Sequence, residues 1–108
     1  SRPLTSEIMK VPLTLITVVS ESLLKDELLK LMREEGATGF TITQADGEGS
    51  SATRVTEWEG PNVRIETILS AETADRIITQ LSETYFDNFG VIAWLTDVSV
   101  LRGMKFET

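Results

Sequence analysis

The sequence predicts an α+β domain in which one antiparallel sheet carries two helices on one of its faces. Segments rich in β-branched residues alternate with amphipathic segments of helical spacing. The length of 108 residues suits one domain, and 41% hydrophobic with 25% charged residues is typical of a globular chain. We expect the domain at residues 13–106, after an N-terminal segment of residues 1–12 and before a tail of residues 107–108.

The first strand is predicted at residues 13–20, which read LTLITVVS and are of strand length. The hydroxyl of Ser20 or Ser22 is then available to cap a helix. Apolar residues with the spacing of one helical face follow: Leu24, Leu28 and Leu31. Gly36 is expected to end this helix in a left-handed conformation.

Two further strands are predicted at residues 39–45 and 63–69, where apolar and polar residues alternate. A second helix follows a capping signal at Ser70 and runs to about Phe86. Its buried face is predicted from four apolar residues: Ala74, Ile77, Ile78 and Leu81. After a loop at residues 87–90, residues 91–101 form a long apolar strand. The order βαββαβ is that of ferredoxin-like folds.

The predicted sheet is apolar on both faces, although two helices cover only one. The first strand has Leu13, Leu15 and Val19 on one side and Ile16 and Val18 on the other. The last strand likewise has apolar residues on both sides. A second apolar face needs a partner surface, and association of identical chains is the simplest solution.

Composition excludes several classes of function. The chain has no His and no Cys, which removes imidazole- or thiol-based catalysis, His or Cys metal sites and disulfides. Its net charge of −7 opposes non-specific binding to nucleic acids and anionic membranes. The sequence has neither a membrane-spanning apolar run nor a signal-peptide pattern, so we expect a cytoplasmic protein.

The insert at about residues 46–62 is longer than a usual hairpin connection, and such loops are often functional. Gly47, Gly49 and Ser50 could form a phosphate cradle or simply a flexible turn. Arg54 is the cation of this insert, and Trp58 is either a partner-binding anchor or a residue packed on a neighbouring subunit.

Arg102 follows the last apolar strand, where a guanidinium could meet an anion in an acidic protein. A solvated strand end is the alternative. Arg64 is interpreted as the solvated side of a strand.

Several segments taken in order resemble the PII signalling superfamily: GFTIT at residues 39–43, the Gly-x-Gly loop entry, VRIE at residues 63–66 and YFDNFGVI at residues 85–92. The loop entry and the YFDNF segment resemble the PII-like proteins of carbon concentration, SbtB and the carboxysome-associated PII proteins. The resemblance implies a homotrimer that binds adenine nucleotides between subunits and acts through a mobile T-loop, here about residues 46–62.

The resemblance also implies the ligand-binding residues. On the strand and at the loop entry these are Gly39, Phe40, Thr41, Gly47, Gly49 and Ser50. The family's B-loop would be residues 87–91, with Phe89, Gly90 and Val91, and the basic residue near the phosphates would be Arg102. Arg54 is taken as a further ligand contact and Trp58 as a partner contact.

Three departures from the family refine the expected ligand. The B-loop has no Lys and the T-loop has no Tyr, which favours ADP or AMP over tight ATP and 2-oxoglutarate sensing, with ATP kept as an alternative. The Cys-containing C-terminal extension of many SbtB proteins is missing, which indicates the carboxysome-associated branch with bicarbonate as a second ligand. A bicarbonate transporter or a carboxysome component is the implied partner.

Three functions therefore stay open. The first is a non-enzymatic sensor that regulates inorganic-carbon uptake or carboxysome function. The second is a slow nucleotide hydrolase, which would need Glu48 and the loop hydroxyls and is disfavoured by the lack of a convincing acid–base pair. The third is a structural trimeric adaptor without a ligand.

Overall fold

The computed structural model describes residues 8–46, 61–87 and 89–103. These residues form strands and helices in the predicted order: β1 (Ile8–Glu21), α1 (Lys25–Glu34), β2 (Thr41–Ala45), β3 (Asn62–Leu69), α2 (Ala71–Leu81) and β4 (Ile92–Gly103). The α+β fold with a βαββαβ order is therefore confirmed. No helix within these ranges is long and apolar enough to cross a bilayer.

The strands form one antiparallel sheet in the order β2-β3-β1-β4. β1 lies inside the sheet, and its register places Ile16 opposite Thr67 of β3 and opposite Leu95 of β4. β2 and β4 are the two edges. Residues that face each other across strands share a sheet face, so this register defines which side chains lie under the helices.

The core lies between the helices and the face of the sheet that carries Ile16 and Val18. Both residues are fully buried, as are Ile65 of β3 and Leu28 and Ile77 of the two helices. Ile16 and Val18 are at even-numbered positions of β1, and Leu28 and Ile77 are on the apolar faces that helical spacing predicts. Helical spacing thus identified the buried faces of the helices correctly, whereas β1 is apolar on both faces and the structure shows which face is covered.

The two helices begin in different ways. Ser70 caps α2 as predicted, because its Oγ accepts a hydrogen bond from the backbone N–H of Thr73 at 3.2 Å. The predicted cap of the first helix is wrong. Ser20 is a buried strand residue whose hydroxyl donates to the carbonyl of Glu21, and a short 3₁₀ turn at Ser22–Leu24 precedes α1 without a side-chain cap.

The helices also end differently. Gly36 follows α1 with φ +117°, a region that L side chains rarely adopt, so the predicted glycine stop is confirmed. α2 does not run to Phe86 as a regular helix. It ends at Leu81 and continues as a π-helical turn at Ser82–Phe86, a geometry that a spacing of 3.6 residues does not predict.

β1 and β4 are longer than predicted and form a two-stranded ribbon beyond the rest of the sheet. β1 starts at Ile8 rather than at residue 13, and β4 ends at Gly103. β3 reaches only as far as Leu69, opposite Thr14, so the residues of β1 before Thr14 pair with β4 alone. The ribbon accounts for a molecule 57 Å long and only 25 Å and 20 Å in its other dimensions.

In the described part of the chain, no helix lies on the second face of the sheet, which is rich in exposed apolar residues. Trp94 of β4 lies on this face opposite Thr17, and Ile92 lies opposite Val19. Ile92 is 55% exposed, Trp94 41% and Ile68 of β3 49%. We call this surface the open face. The two-sided apolar sheet inferred from the sequence is confirmed; the oligomeric state stays a prediction.

Candidate functional site

A cleft of about 460 Å³ lies beside the segment that leads into β2. This volume is within the usual range of small-ligand sites. Eight residues from β1, the β2 approach and β3 line it: Leu15, Thr38, Gly39, Phe40, Thr41, Glu66, Thr67 and Ile68. Three of the predicted ligand residues, Gly39, Phe40 and Thr41, thus form one wall of a cavity.

Two side chains fix this wall. The hydroxyl of Thr67, a buried residue of β3, donates to the carbonyl of Gly39 at 2.6 Å. The guanidinium of Arg33 lies 5.3 Å from the ring centroid of Phe40, within cation–π distance. Gly39 and Phe40 precede β2, which starts at Thr41 rather than at residue 39 as predicted. Side-chain contacts therefore hold the segment that the β-ladder does not reach.

The charged residue of the cleft is Glu66, which belongs to a polar cluster on the open face. Its Oε2 accepts hydrogen bonds from the hydroxyl of Thr17 at 3.2 Å and from Nη2 of Arg64 at 3.4 Å. The guanidinium of Arg64 lies 5.7 Å from the ring centroid of Trp94. Arg64 is half-exposed as predicted, but it contacts two other residues rather than solvent alone.

The predicted B-loop, residues 87–91, begins directly after the π-helical turn. Val91 is buried in the core, whereas Phe89 is 40% exposed and Gly90 half-buried. The loop precedes Ile92, which pairs with Val19 near the end of β1. It therefore lies at the same end of the sheet as Ala45 and Asn62, between which the T-loop is inserted.

Tyr85 connects this loop with α1. Its hydroxyl donates to Oε1 of Glu27 at 2.9 Å, and its ring meets that of Phe89 edge-on at a centroid distance of 5.5 Å. Burial, together with the hydrogen bond and the negative charge of Glu27, raises the pKa of Tyr85 to about 12. The phenol is therefore a neutral hydrogen-bond donor at physiological pH.

The predicted ligand residues within the described ranges do not all come together in one chain. Thr41, on edge strand β2, is level with Trp94 on the other edge, and three strand spacings correspond to about 14 Å. Arg102 lies opposite Met9 on the ribbon, eight residues beyond Trp94, or about 26 Å further along the strand. Arg102 is exposed. The cleft wall, the B-loop and the predicted phosphate-binding cation thus occupy three separate places.

The other predicted contacts lie outside the described residues: Gly47, Gly49, Ser50, Arg54 and Trp58. Sequence reasoning also missed lining residues that the structure reveals, namely Leu15, Glu66 and Ile68. They are on the open face. Alternation places Glu66 and Ile68 on one side of their strand, but only the register of β3 against β1 brings them beside Leu15. In the described ranges, no group of three or more Asp or Glu side chains is arranged to hold a metal ion.

The comparison with known families decides the assignment of the chain. Residues 13–105 match the model of the family described as nitrogen regulatory protein P-II. The chain belongs to the P-II family. It is a PII-like signalling protein, and the matched residues include β2, β3, the π-helical turn and β4 up to Arg102.

Solved P-II structures resemble this chain over most of its length. A protein of Thermus thermophilus assigned to the PII-like signalling proteins is 50% identical, with 89% of this chain and 96% of that chain covered at a TM-score of 0.74. The apo form of CPII, a nitrogen regulatory PII-like protein from Thiomonas intermedia, is 16% identical with a TM-score of 0.75, covering 88% of this chain and 98% of CPII. CPII bound to ADP, AMP and bicarbonate is 19% identical with a TM-score of 0.71, covering 85% and 96%.

Proposed function

We propose that this P-II protein binds ADP or AMP in clefts between the subunits of a homotrimer, without consuming the nucleotide. Bicarbonate is the second ligand in the proposal, and ATP is an alternative nucleotide. Support comes from CPII, which was solved with ADP, AMP and bicarbonate. CPII is similar in fold and distant in sequence, so its ligands suggest which compounds to test.

The distribution of charge carries the proposal for a site between subunits. The described residues that line the cleft include a carboxylate, Glu66, and no Arg or Lys. The two guanidinium groups beside these residues already have partners, Arg64 with Glu66 and Arg33 with the ring of Phe40. A nucleotide brings anionic phosphates, which need cations or backbone N–H groups in an acidic protein. Arg102 of the same chain is too far along the sheet to reach the cleft. A second copy can supply it.

The shape of the sheet supports the same arrangement. The cleft wall belongs to the β2 edge, and the B-loop and Arg102 belong to the β4 edge. Contacts between unlike edges are heterologous, and three such contacts can close into a ring. The ribbon extends beyond the four-stranded sheet, so we propose that it carries Arg102 toward a neighbouring subunit.

The proposed output is regulation of inorganic-carbon uptake or carboxysome function through the T-loop. Its expected partner is a bicarbonate transporter or a carboxysome component in the cytoplasm, with Trp58 as a contact. A ligand acts by preferring one of two T-loop states, and its effect is limited by the difference between its affinities for them.

Isothermal titration calorimetry tests this function directly. The purified protein is titrated with ADP, AMP and ATP, each with and without bicarbonate, while released phosphate is measured in parallel. We expect saturable binding of ADP or AMP at one site per chain and no phosphate release. Absence of nucleotide binding would favour the adaptor, and steady phosphate release would favour the hydrolase.

A further inference from the structure

Tyr85 contacts three parts of the molecule: helix α1 through Glu27, the hydrophobic core, and the predicted B-loop through Phe89. It is 5% exposed and belongs to the hydrophobic core cluster, although it carries a polar hydroxyl. It lies in the π-helical turn between α2 and the B-loop. π-helical turns are rare and frequently occur at functional sites. Neither the proposed ligand contacts nor the core packing explains why a phenol is needed here.

The contacts of Tyr85 act on the loop in two ways. The side chain is fixed to α1 by the hydrogen bond to Glu27, and its ring meets that of Phe89. Its backbone carbonyl also accepts a hydrogen bond from the N–H of Phe89 at 2.9 Å. Tyr85 therefore restrains both the side chain and the backbone of the residue before Gly90.

The other end of this segment is also held. Val91 is buried in the same core cluster as Tyr85. Gly90 lies between the two restrained residues. A glycine between restrained neighbours loses less conformational entropy when a ligand binds, because part of its freedom has already been removed.

We propose that Tyr85 and Glu27 form a positioning pair that holds residues 89–91 in a ligand-ready conformation. Tyr85 itself is a positioning residue and does not contact the nucleotide. The consequence for affinity rests on the proposed function, whereas the restraint of residues 89–91 does not. The neutral phenol keeps the donor proton that the hydrogen bond to Glu27 requires.

Three substitutions and one control test the pair. Tyr85→Phe and Glu27→Leu each remove the hydrogen bond, whereas Glu27→Gln keeps an acceptor oxygen. Asp26→Leu makes the same change as Glu27→Leu at an exposed residue in the same helical turn. Amide hydrogen exchange at Phe89 and Gly90 is measured by NMR in the ligand-free protein, relative to exchange at Ile65 in the centre of the sheet. ADP affinity is measured by calorimetry.

We expect exchange at Phe89 and Gly90 to accelerate at least about threefold in Tyr85→Phe and Glu27→Leu, and ADP affinity to fall about three- to tenfold. Glu27→Gln and Asp26→Leu should stay within about twofold of the parent in both measurements. Unchanged exchange in the two disrupting variants would overturn the proposal. So would a Glu27→Gln variant as impaired as Glu27→Leu, or faster exchange with unaltered ADP affinity.

Failure of the proposed function gives a different result. If the parent binds no adenine nucleotide, the exchange rates alone decide whether the pair restrains residues 89–91. If Tyr85→Phe does not fold, Glu27→Leu against Glu27→Gln gives the decision, because Glu27 lies on the exposed side of α1.

Discussion

Gly90 precedes strand β4 by two residues, and Arg102 is the penultimate residue of the same strand, at its far end. The ten residue steps from Ile92 to Arg102 correspond to about 33 Å of extended chain. A small ligand cannot contact both residues in one subunit. A nucleotide site that includes both Gly90 and Arg102 must therefore take these two residues from different copies of the chain.

Arg102→Ala should weaken ADP or AMP binding by roughly 10- to 150-fold, because a hydrogen bond to a charged group contributes about 1.5–3 kcal/mol. Arg102→Lys should recover only part of the affinity, since an ammonium cannot make a two-pronged contact. Lys10→Ala is the matched control. Lys10 lies on the same ribbon, opposite Leu101, and its removal deletes one positive charge from the other ribbon face. Affinities within about twofold of the parent would assign the phosphate contact to another cation.

Mixed oligomers test whether the cleft wall and Arg102 come from different copies. Gly39→Phe should block the cleft, and a Cβ at Gly39 has no atom within 4 Å, so the substitution begins in open space. If one copy supplies the wall and another supplies Arg102, random mixing of Gly39→Phe with Arg102→Ala chains regenerates about one site in four. No recovery after co-refolding would contradict a shared site.

Trp94→Glu should dissociate the assembly. Trp94 is in the middle of the open face, and a carboxylate buried in an apolar interface costs several kcal/mol unless it is fully paired. The neighbouring guanidinium of Arg64 already pairs with Glu66. Leu23→Glu is the control, because Leu23 is 76% exposed and lies in the 3₁₀ turn before α1. Light scattering at micromolar concentration should show a trimer for the parent and the control and a monomer for Trp94→Glu. Circular dichroism checks that the variant is folded. A monomeric parent would refute the homotrimer.

Gly36→Ala should lower the free energy of unfolding by about 1–2 kcal/mol, because Gly36 has φ +117°. Space is not the cause: a Cβ there would meet Thr73 Cγ2 at 3.8 Å, an ordinary contact. Gly39→Ala has neither constraint and should change stability by less than about 0.5 kcal/mol. Urea unfolding of the two variants beside the parent measures the difference. Equal effects would contradict the conformational explanation.

The stability that Tyr85 contributes should be lost at high pH. The folded protein holds the phenolic proton up to a pKa of about 12, whereas the unfolded chain releases it near the ordinary tyrosine pKa of 10.0. Unfolding therefore releases a proton between these values, and rising pH favours the unfolded state by up to roughly 2 kcal/mol. Below pH 10 the folded protein keeps the full stability that Tyr85 contributes. The stability difference between the parent and Tyr85→Phe, measured by urea unfolding from about pH 8 to about pH 11.5, should shrink as pH rises; a constant difference would contradict it.

Local patterns in the sequence predicted most of the fold. Alternation indicated the apolar side of β3, where Ile65 lies, and helical spacing predicted the buried positions Leu28 and Ile77. The sequence left open which apolar face of β1 the helices cover, and the structure shows that it is the face of Ile16. The first strand was predicted to start at residue 13, directly after Pro12, whereas β1 starts at Ile8. Pro12 pairs with Ser99 in the ribbon, where β3 no longer flanks β1, and a proline is tolerated where one side of a strand has no partner.

The candidate site was harder to predict, since its parts depend on long-range register. Gly39, Phe40 and Thr41 came from the family resemblance and do line a cleft. Glu66 became visible as a lining residue only when β3 was placed beside β2. The contact between Tyr85 and Glu27 joins residues far apart in sequence, and no local period indicates it.

The pairing of β1 with β4 constrains how the chain folds during synthesis. Ile8 pairs with Gly103, so the ribbon joins residues from opposite ends of the described chain. Closing so large a loop costs chain entropy before the contacts between β1 and β4 can form and stabilise it. Non-local strand pairing is slow for that reason. The sheet cannot be completed until residue 103 has left the ribosome. Until then one side of the central strand has unsatisfied backbone groups, so the nascent protein is exposed to aggregation and to chaperones until β4 pairs with β1.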